Sequence, residues 1–334
     1  MTGEYGISNK EYAAVAAGSL ALAACLCGCI HVGYAAADAK AEAAAARAEA
    51  EARAATAALV ARAPAQDEAD DGEVAAVVTD MSGAQAAVSE LLAGYEEQVS
   101  VSVRMLDGNG CFDVDGDEPV QSASMIKLLV LAEYLDEIDS GELSADESYT
   151  LDPQDIVGGS GSMQSDRPGT EYTLDEVAHR MIYQSDNVGT NVLIERMGVE
   201  AIQAKASELG LSGTLLAHKL MIAADDGLYN LISANDAAEL LYRVANGTLA
   251  SAASCARAEA FLIDQEDDEG LAQGLPDGVV FGHKTGSTDE VRHDGGIVYG
   301  EHPYVIVVLT RGLGYDEANA LMAQLSAAVY DALA

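Results

Sequence analysis

Basic residues are scarce in this chain: 17 lysines and arginines stand against 55 aspartates and glutamates, a formal net charge of −38 over 334 residues. A phosphate-binding surface must be basic, so nucleic acid and anionic lipid are excluded as partners, and the acidity reads as a solvated exterior. Histidine and cysteine are also few, six and five respectively. The histidines are scattered, no H-E-x-x-H or Cys/His cluster occurs, and the glycines form no phosphate-binding or dinucleotide fingerprint. No metal and no cofactor are therefore expected. Cys25, Cys27 and Cys29 alternate along an apolar run and cannot converge on one ion. Cys111 and Cys255 are the remaining thiols, and spacing does not say whether they pair.

Formal charge is absent from residues 12–37, a run long enough to cross a bilayer as one helix. Residues 1–37 are expected to be a membrane anchor or signal segment outside the folded domain. The flank is poor in positive charge, with Lys10 against Glu4 and Glu11, so orientation is weakly specified. A second reading starts from Leu22-Ala23-Ala24-Cys25, which resembles a lipobox and would leave Cys25 as a lipidated N-terminus. Glycine and proline are absent from 38–62, where alanine, glutamate and arginine dominate and Glu49 and Arg53 form an i,i+4 pair. That segment reads as a helical stalk ended by Pro64, and 65–73 as an acidic linker.

The chain is 49 % hydrophobic, enough for one large domain with appendages, and residues 74–334 read as that α/β domain. Ser82 is expected to cap a helix reaching residue 97, with Val88, Leu91, Leu92 and Tyr95 on one face. A hairpin follows, 99–106 turning through Gly108-Asn109-Gly110 into a strand from Cys111. An apolar helix is expected over 125–135. Thr173 and Glu176 form a capping box for a helix over 173–184, and Ser233 with Asp236 opens another that carries Leu240 and Leu241. Strands are expected at 279–284, 294–299 and 304–310, with a last amphipathic helix over 315–333.

Three short motifs lie in this frame: Ser124-Met125-Ile126-Lys127, Ser185-Asp186-Asn187 and Lys284-Thr285-Gly286, separated by 61 and 99 positions. The first alone is expected roughly once by chance in a chain this long, whereas the other two are each expected in only about one such chain in ten or twenty. A serine three residues before a lysine at a helix start places both on one side, and the helix dipole favours an anionic serine oxygen. Lysine is a base only if burial and neighbouring cations make it neutral. Motifs, order and spacing resemble those of class A β-lactamases and penicillin-binding serine hydrolases. The resemblance covers the domain and nothing before residue 74.

This resemblance implies a five-stranded antiparallel sheet flanked by the first and last helices, beside an all-helical region, with the site at their junction. It implies Ser124 as nucleophile, Lys127 as its base, Ser185 as proton shuttle and Lys284 as a cation beside it. Asn187 would touch the substrate amide, and the Thr285 and Ser287 hydroxyls would bind a substrate carboxylate. Gly286 leaves room for substrate, the N–H groups of Ser124 and Ser287 would form the oxyanion hole, and Arg292 could add a carboxylate contact. The substrate would be a β-lactam or a peptide ending in D-Ala-D-Ala, and the domain a monomer outside the cell membrane.

One departure stands out. The family carries a deacylating glutamate in an E-x-x-L-N loop, but residues 218–230 contain no glutamate, only Asp225 and Asp226. Three readings follow: a β-lactamase using another base, a D,D-peptidase or penicillin-binding enzyme that deacylates slowly, or a non-catalytic wall-binding module.

Overall fold

A computed structural model describes residues 79–222 and 227–333 of the chain. The expected anchor, stalk and linker, and the pair Asp225 and Asp226, lie outside the described residues. Among the described residues no helix is long and apolar enough to cross a membrane.

The chain begins with α1 (Ser82–Leu91), β1 (Val99–Met105) and β2 (Cys111–Val114). The short β3 (Val120–Gln121) precedes a tight turn over Ala123–Ile126. That turn runs into α2 (Lys127–Ser140). Then come β4 (Ser148–Thr150), β5 (Glu171–Thr173), α3 (Leu174–Tyr183), α4 (Asn187–Met197) and α5 (Val199–Glu208). After β6 (Leu231–Ile232), α6 (Ala234–Ala245) and α7 (Ala252–Ile263), three long strands close the sheet. These are β7 (Val280–Ser287), β8 (Arg292–Tyr299) and β9 (Tyr304–Thr310), followed by α8 (Tyr315–Leu333).

The principal sheet is antiparallel in the order β2-β1-β9-β8-β7. Period-two alternation sorts β9 between two cores. Tyr304, Ile306 and Val308 join Val99, Val101 and Val103 under α1 and α8, while Val305, Val307 and Leu309 face the helical side with Ile297. α2 lies at the centre of that second core, and Lys127 through Leu135 are all buried. Burial on every side explains why the 125–135 run carries no polar stripe.

Several expected boundaries shift for local reasons. α1 stops at Leu91 instead of reaching 97, because the chain turns at Gly94 (φ 98°) and again at Glu97 (φ 68°). Ser82 is the first helical residue and not the cap; its N–H is satisfied by the Asp80 carboxylate at 3.0 Å. The capping box of Thr173 and Glu176 and the Ser233 cap are both formed. Cys111 is exposed and Cys255 buried, each a free thiol.

Candidate active site

The three motifs arrive from three different elements at one cleft. Ser124 sits in the tight turn that leads into α2, just after Ala123, which holds a left-handed φ of 43°. An alanine pays for that conformation with strain, so packing must enforce it. The enforcing contacts are a Ser122 N–H bond to the Asn230 carbonyl (2.8 Å) and the edge strand β7 beside the turn. A Cβ on Gly286 would lie 3.0 Å from Ser124 N, 3.1 Å from Met125 N and 3.3 Å from Ala123 Cβ. Only glycine lets the third motif come this near the first.

Ser185 occupies the connection between α3 and α4, also left-handed at φ 56°. Asp186 caps α4, its carboxylate accepting from Gly189 N–H (2.9 Å) and, across the loop, from Met163 N–H (2.8 Å). Burial pushes its carboxyl up, against those two hydrogen bonds and the charge of Lys127. Gly161 (φ 98°) packs so closely on Asp186 that a side chain there would overlap the carboxylate. The turn bearing the second motif is thus held from both sides.

Lys127 links the first two motifs. Its Nζ donates to Ser185 Oγ (3.0 Å), Asn187 Oδ1 (2.9 Å) and the Ser185 carbonyl. Every one of these partners is uncharged. Burial lowers its pKa well below the ordinary lysine value, the Lys284 cation lowers it further, and Asp186 opposes. Lys284 Nζ donates to the Thr285 carbonyl at 2.6 Å. Burial brings Lys284 down to about 7, while Asp267 and Asp294 pull it back up.

Ser124, Ser185, Thr285, Gly286 and Ser287 line one cavity of about 230 Å³. It opens beside a second, of about 600 Å³, that shares Ser124 and Ser287 and reaches Asn187 and the 218–222 and 228–230 stretches. Eight of nine expected residues are therefore together. Arg292 is the exception. It is 1 % exposed, with Nη1 and Nη2 on Asp267 (2.7 and 3.0 Å) and Nε on Asn319 (2.7 Å). The expected direct carboxylate contact is corrected accordingly: the guanidinium is buried, and its donors are already taken up by Asp267 and Asn319.

Two groups of neighbours escape sequence reasoning. Asp267 borders the cavity, and His283 with Asp294 forms a buried pair behind β7 (Nδ1 to Oδ1, 2.9 Å). Asp267 stands in the run Gln265-Glu266-Asp267-Asp268-Glu269, where nothing marks one acid from the next. His283 pairs with Gly296 and meets Asp294 diagonally, two residues along β8, a contact that follows only once the register of the two strands is known. No group of three or more metal-ligating side chains is present among the described residues.

Comparison with known proteins gives this geometry a context. A family model described as the Beta-lactamase enzyme family matches residues 83–333. The chain is 23 % identical over 113 residues to the beta-lactamase VEB-1 of Pseudomonas aeruginosa, covering 33 % of this chain and 38 % of that protein. The chain thus spans well under half the length of that curated relative. A beta-lactamase structure from Sphaerobacter thermophilus superposes with a TM-score of 0.70 at 26 % identity, covering 76 % of this chain and 98 % of that one. A PBP-A variant captured as an acyl-enzyme complex with penicillin G gives 0.70 at 27 %, over 75 % and 96 %.

Proposed function

The chain belongs to the beta-lactamase enzyme family, and we propose that it is a serine acyl-transfer hydrolase that opens the amide of a β-lactam through an ester on Ser124. The observation that carries this reading is the buried Lys127 amine, bonded to Ser185 Oγ and Asn187 Oδ1 with its proton affinity lowered. Neutral Lys127 takes the Ser124 hydroxyl proton as Oγ attacks the carbonyl carbon. The N–H groups of Ser124 and Ser287 receive the oxyanion, an effect typically worth about 3–4 kcal/mol per donor. Ser185 relays the proton from Lys127 to the leaving nitrogen as the C–N bond breaks. Asn187 orients the substrate amide, and Lys284, Thr285 and Ser287 shape the far end of the cleft.

A second reading, a D,D-peptidase or penicillin-binding enzyme that deacylates slowly, is favoured by the sequence of residues 218–230, which holds no glutamate. The described residues of 218–230 that line the cleft include Lys219, Leu220, Met221 and Tyr229. Leu220 is held there by the Asn191 side chain, which accepts from its N–H (2.7 Å) and donates to its carbonyl (2.8 Å). The location we propose is outside the cell membrane, as a monomeric domain tethered through residues 1–37 or a lipidated Cys25. The tether rests on the charge-free run at 12–37, and the outside location on the family resemblance.

An intact-mass time course of the protein with a simple penicillin, beside Ser124→Ala, tests both readings. An adduct that forms on Ser124 and disappears as drug is consumed supports the β-lactamase. A persistent adduct supports the slow enzyme. Absence of any adduct with the drug intact refutes serine acylation.

A further inference from the structure

The groups expected to receive a substrate carboxylate already face one supplied by the chain. Asp267 lies on the wall of the Ser124 cavity, about a third of its side chain exposed, with Thr285 and Ser287 on the same wall. Behind it the Arg292 guanidinium grips both carboxylate oxygens, at 2.7 and 3.0 Å. This fork-to-fork geometry is how arginine binds a ligand carboxylate, here spent internally. Burial alone would raise the Asp267 carboxyl, yet the hydrogen bonds and charge of Arg292, with help from the Thr285 hydroxyl and the Glu269 N–H, hold it below the ordinary range. Lys284 feels the same anion, the largest influence opposing its burial. Glu266, exposed on the same wall, adds a second negative charge.

A carboxylate arriving beside the Thr285 hydroxyl therefore meets an anion already in place, in a chain whose net charge is −38. We propose, resting on the serine acyl-transfer reading above, that Asp267 is a specificity-determining residue. It occupies the anion subsite, so the cleft favours acyl donors whose group on that side is uncharged, a carboxamide or an ester, over those bearing a carboxylate. Specificity here comes from a repulsive element and needs no added contact to the favoured substrate.

The test compares penicillin G with its methyl ester as acylating agents of the full chain, and titrates acetate against the backbone amides of Thr285 and Ser287 by NMR. In the wild-type protein the ester is expected to acylate at least as fast as the acid. Asp267→Asn is expected to raise the ratio of acid to ester acylation about tenfold, a ratio from which any common effect on the base cancels, and to tighten acetate about tenfold. The wild-type ratio is readable even if the variant does not fold. Faster wild-type acylation by the acid, by about tenfold or more, overturns the proposal. So does acetate that binds both proteins equally, or neither. If neither penicillin acylates, serine acylation itself fails, and the acetate titration still decides the role of Asp267.

Discussion

His293 ties the acid stability of the fold to the geometry of the site. The ring is fully buried on β8, opposite Gly286 in the sheet register. Its Nδ1 accepts from the Thr310 N–H (3.0 Å), so Nε2 carries the hydrogen and donates to the Gln121 carbonyl (2.8 Å). Protonation at Nδ1 would aim an N–H at an N–H. Burial pushes the pKa of this histidine from 6.5 down to about 4, against the opposing pull of the Gln121 carbonyl. The unfolded chain binds the proton at higher pH than the folded one, so stability is complete above pH 6.5 and is lost as pH falls toward 4. At 1.36 kcal/mol for each pH unit, the interval is worth about 3 kcal/mol. Urea unfolding from pH 8 to pH 4 measures it, beside His293→Gln. Glutamine keeps a donor for Gln121 but strands the Thr310 N–H, costing about 1–3 kcal/mol at pH 8. It has nothing to titrate, so the gap between the two proteins should close toward pH 4. A gap that is the same at both ends of the range refutes the argument.

Two further predictions bear on the motifs. Gly286→Ala forces β7 and the Ser124 turn apart by a few tenths of an ångström; acylation should fall by about tenfold to a hundredfold while stability changes by about 1–3 kcal/mol. Stopped-flow acylation and thermal melts separate the two effects, and unchanged acylation would disprove the close fit. Asp186→Asn sets an amide N–H against one of the two N–H groups the carboxylate now accepts, and should cost about 2–4 kcal/mol. It also removes the anion that supports the Lys127 cation, so the acid limb of the acylation profile should move to lower pH. A profile that stays in place would show that Asp186 only braces the turn.

Much of the fold was written in local patterns. The Thr173 capping box, the Ser233 cap and the alternation of β9 name their elements directly, since each depends on neighbours within a few positions. The ends of α1 and β7 were less legible. Gly94 was a visible stop signal that the apolar face of Val88, Leu91 and Leu92 outweighed. β7 runs on to Ser287 because β8 starts at Arg292 and the two pair to their tips, with Thr288 N–H closing on the Val291 carbonyl at 2.9 Å. At the site, short motifs identified the residues that must keep fixed chemistry. They could not reveal Asp267 beside Arg292, because that pair depends on how the segment after α7 folds back across the sheet edge.

The two site lysines differ in the charges that surround them. Both are fully buried, and burial lowers both. Lys284 has two anions in its field, Asp267 and Asp294, which hold it at about 7. Lys127 has Asp186 alone, at the far side of a turn, and donates only to neutral oxygens while Lys284 repels it. The surroundings of Lys127 therefore favour its neutral form from every side but Asp186. A pair of like groups whose environments push their proton affinities apart is suited to divided roles, one as base and one as fixed charge. The same coupling makes Asp267 matter twice: its charge opposes an arriving carboxylate and supports the Lys284 cation, and the Lys284 charge in turn lowers the proton affinity of Lys127. Neutralising Asp267 thus trades anion affinity gained in the cleft against the Lys284 charge that favours a neutral Lys127.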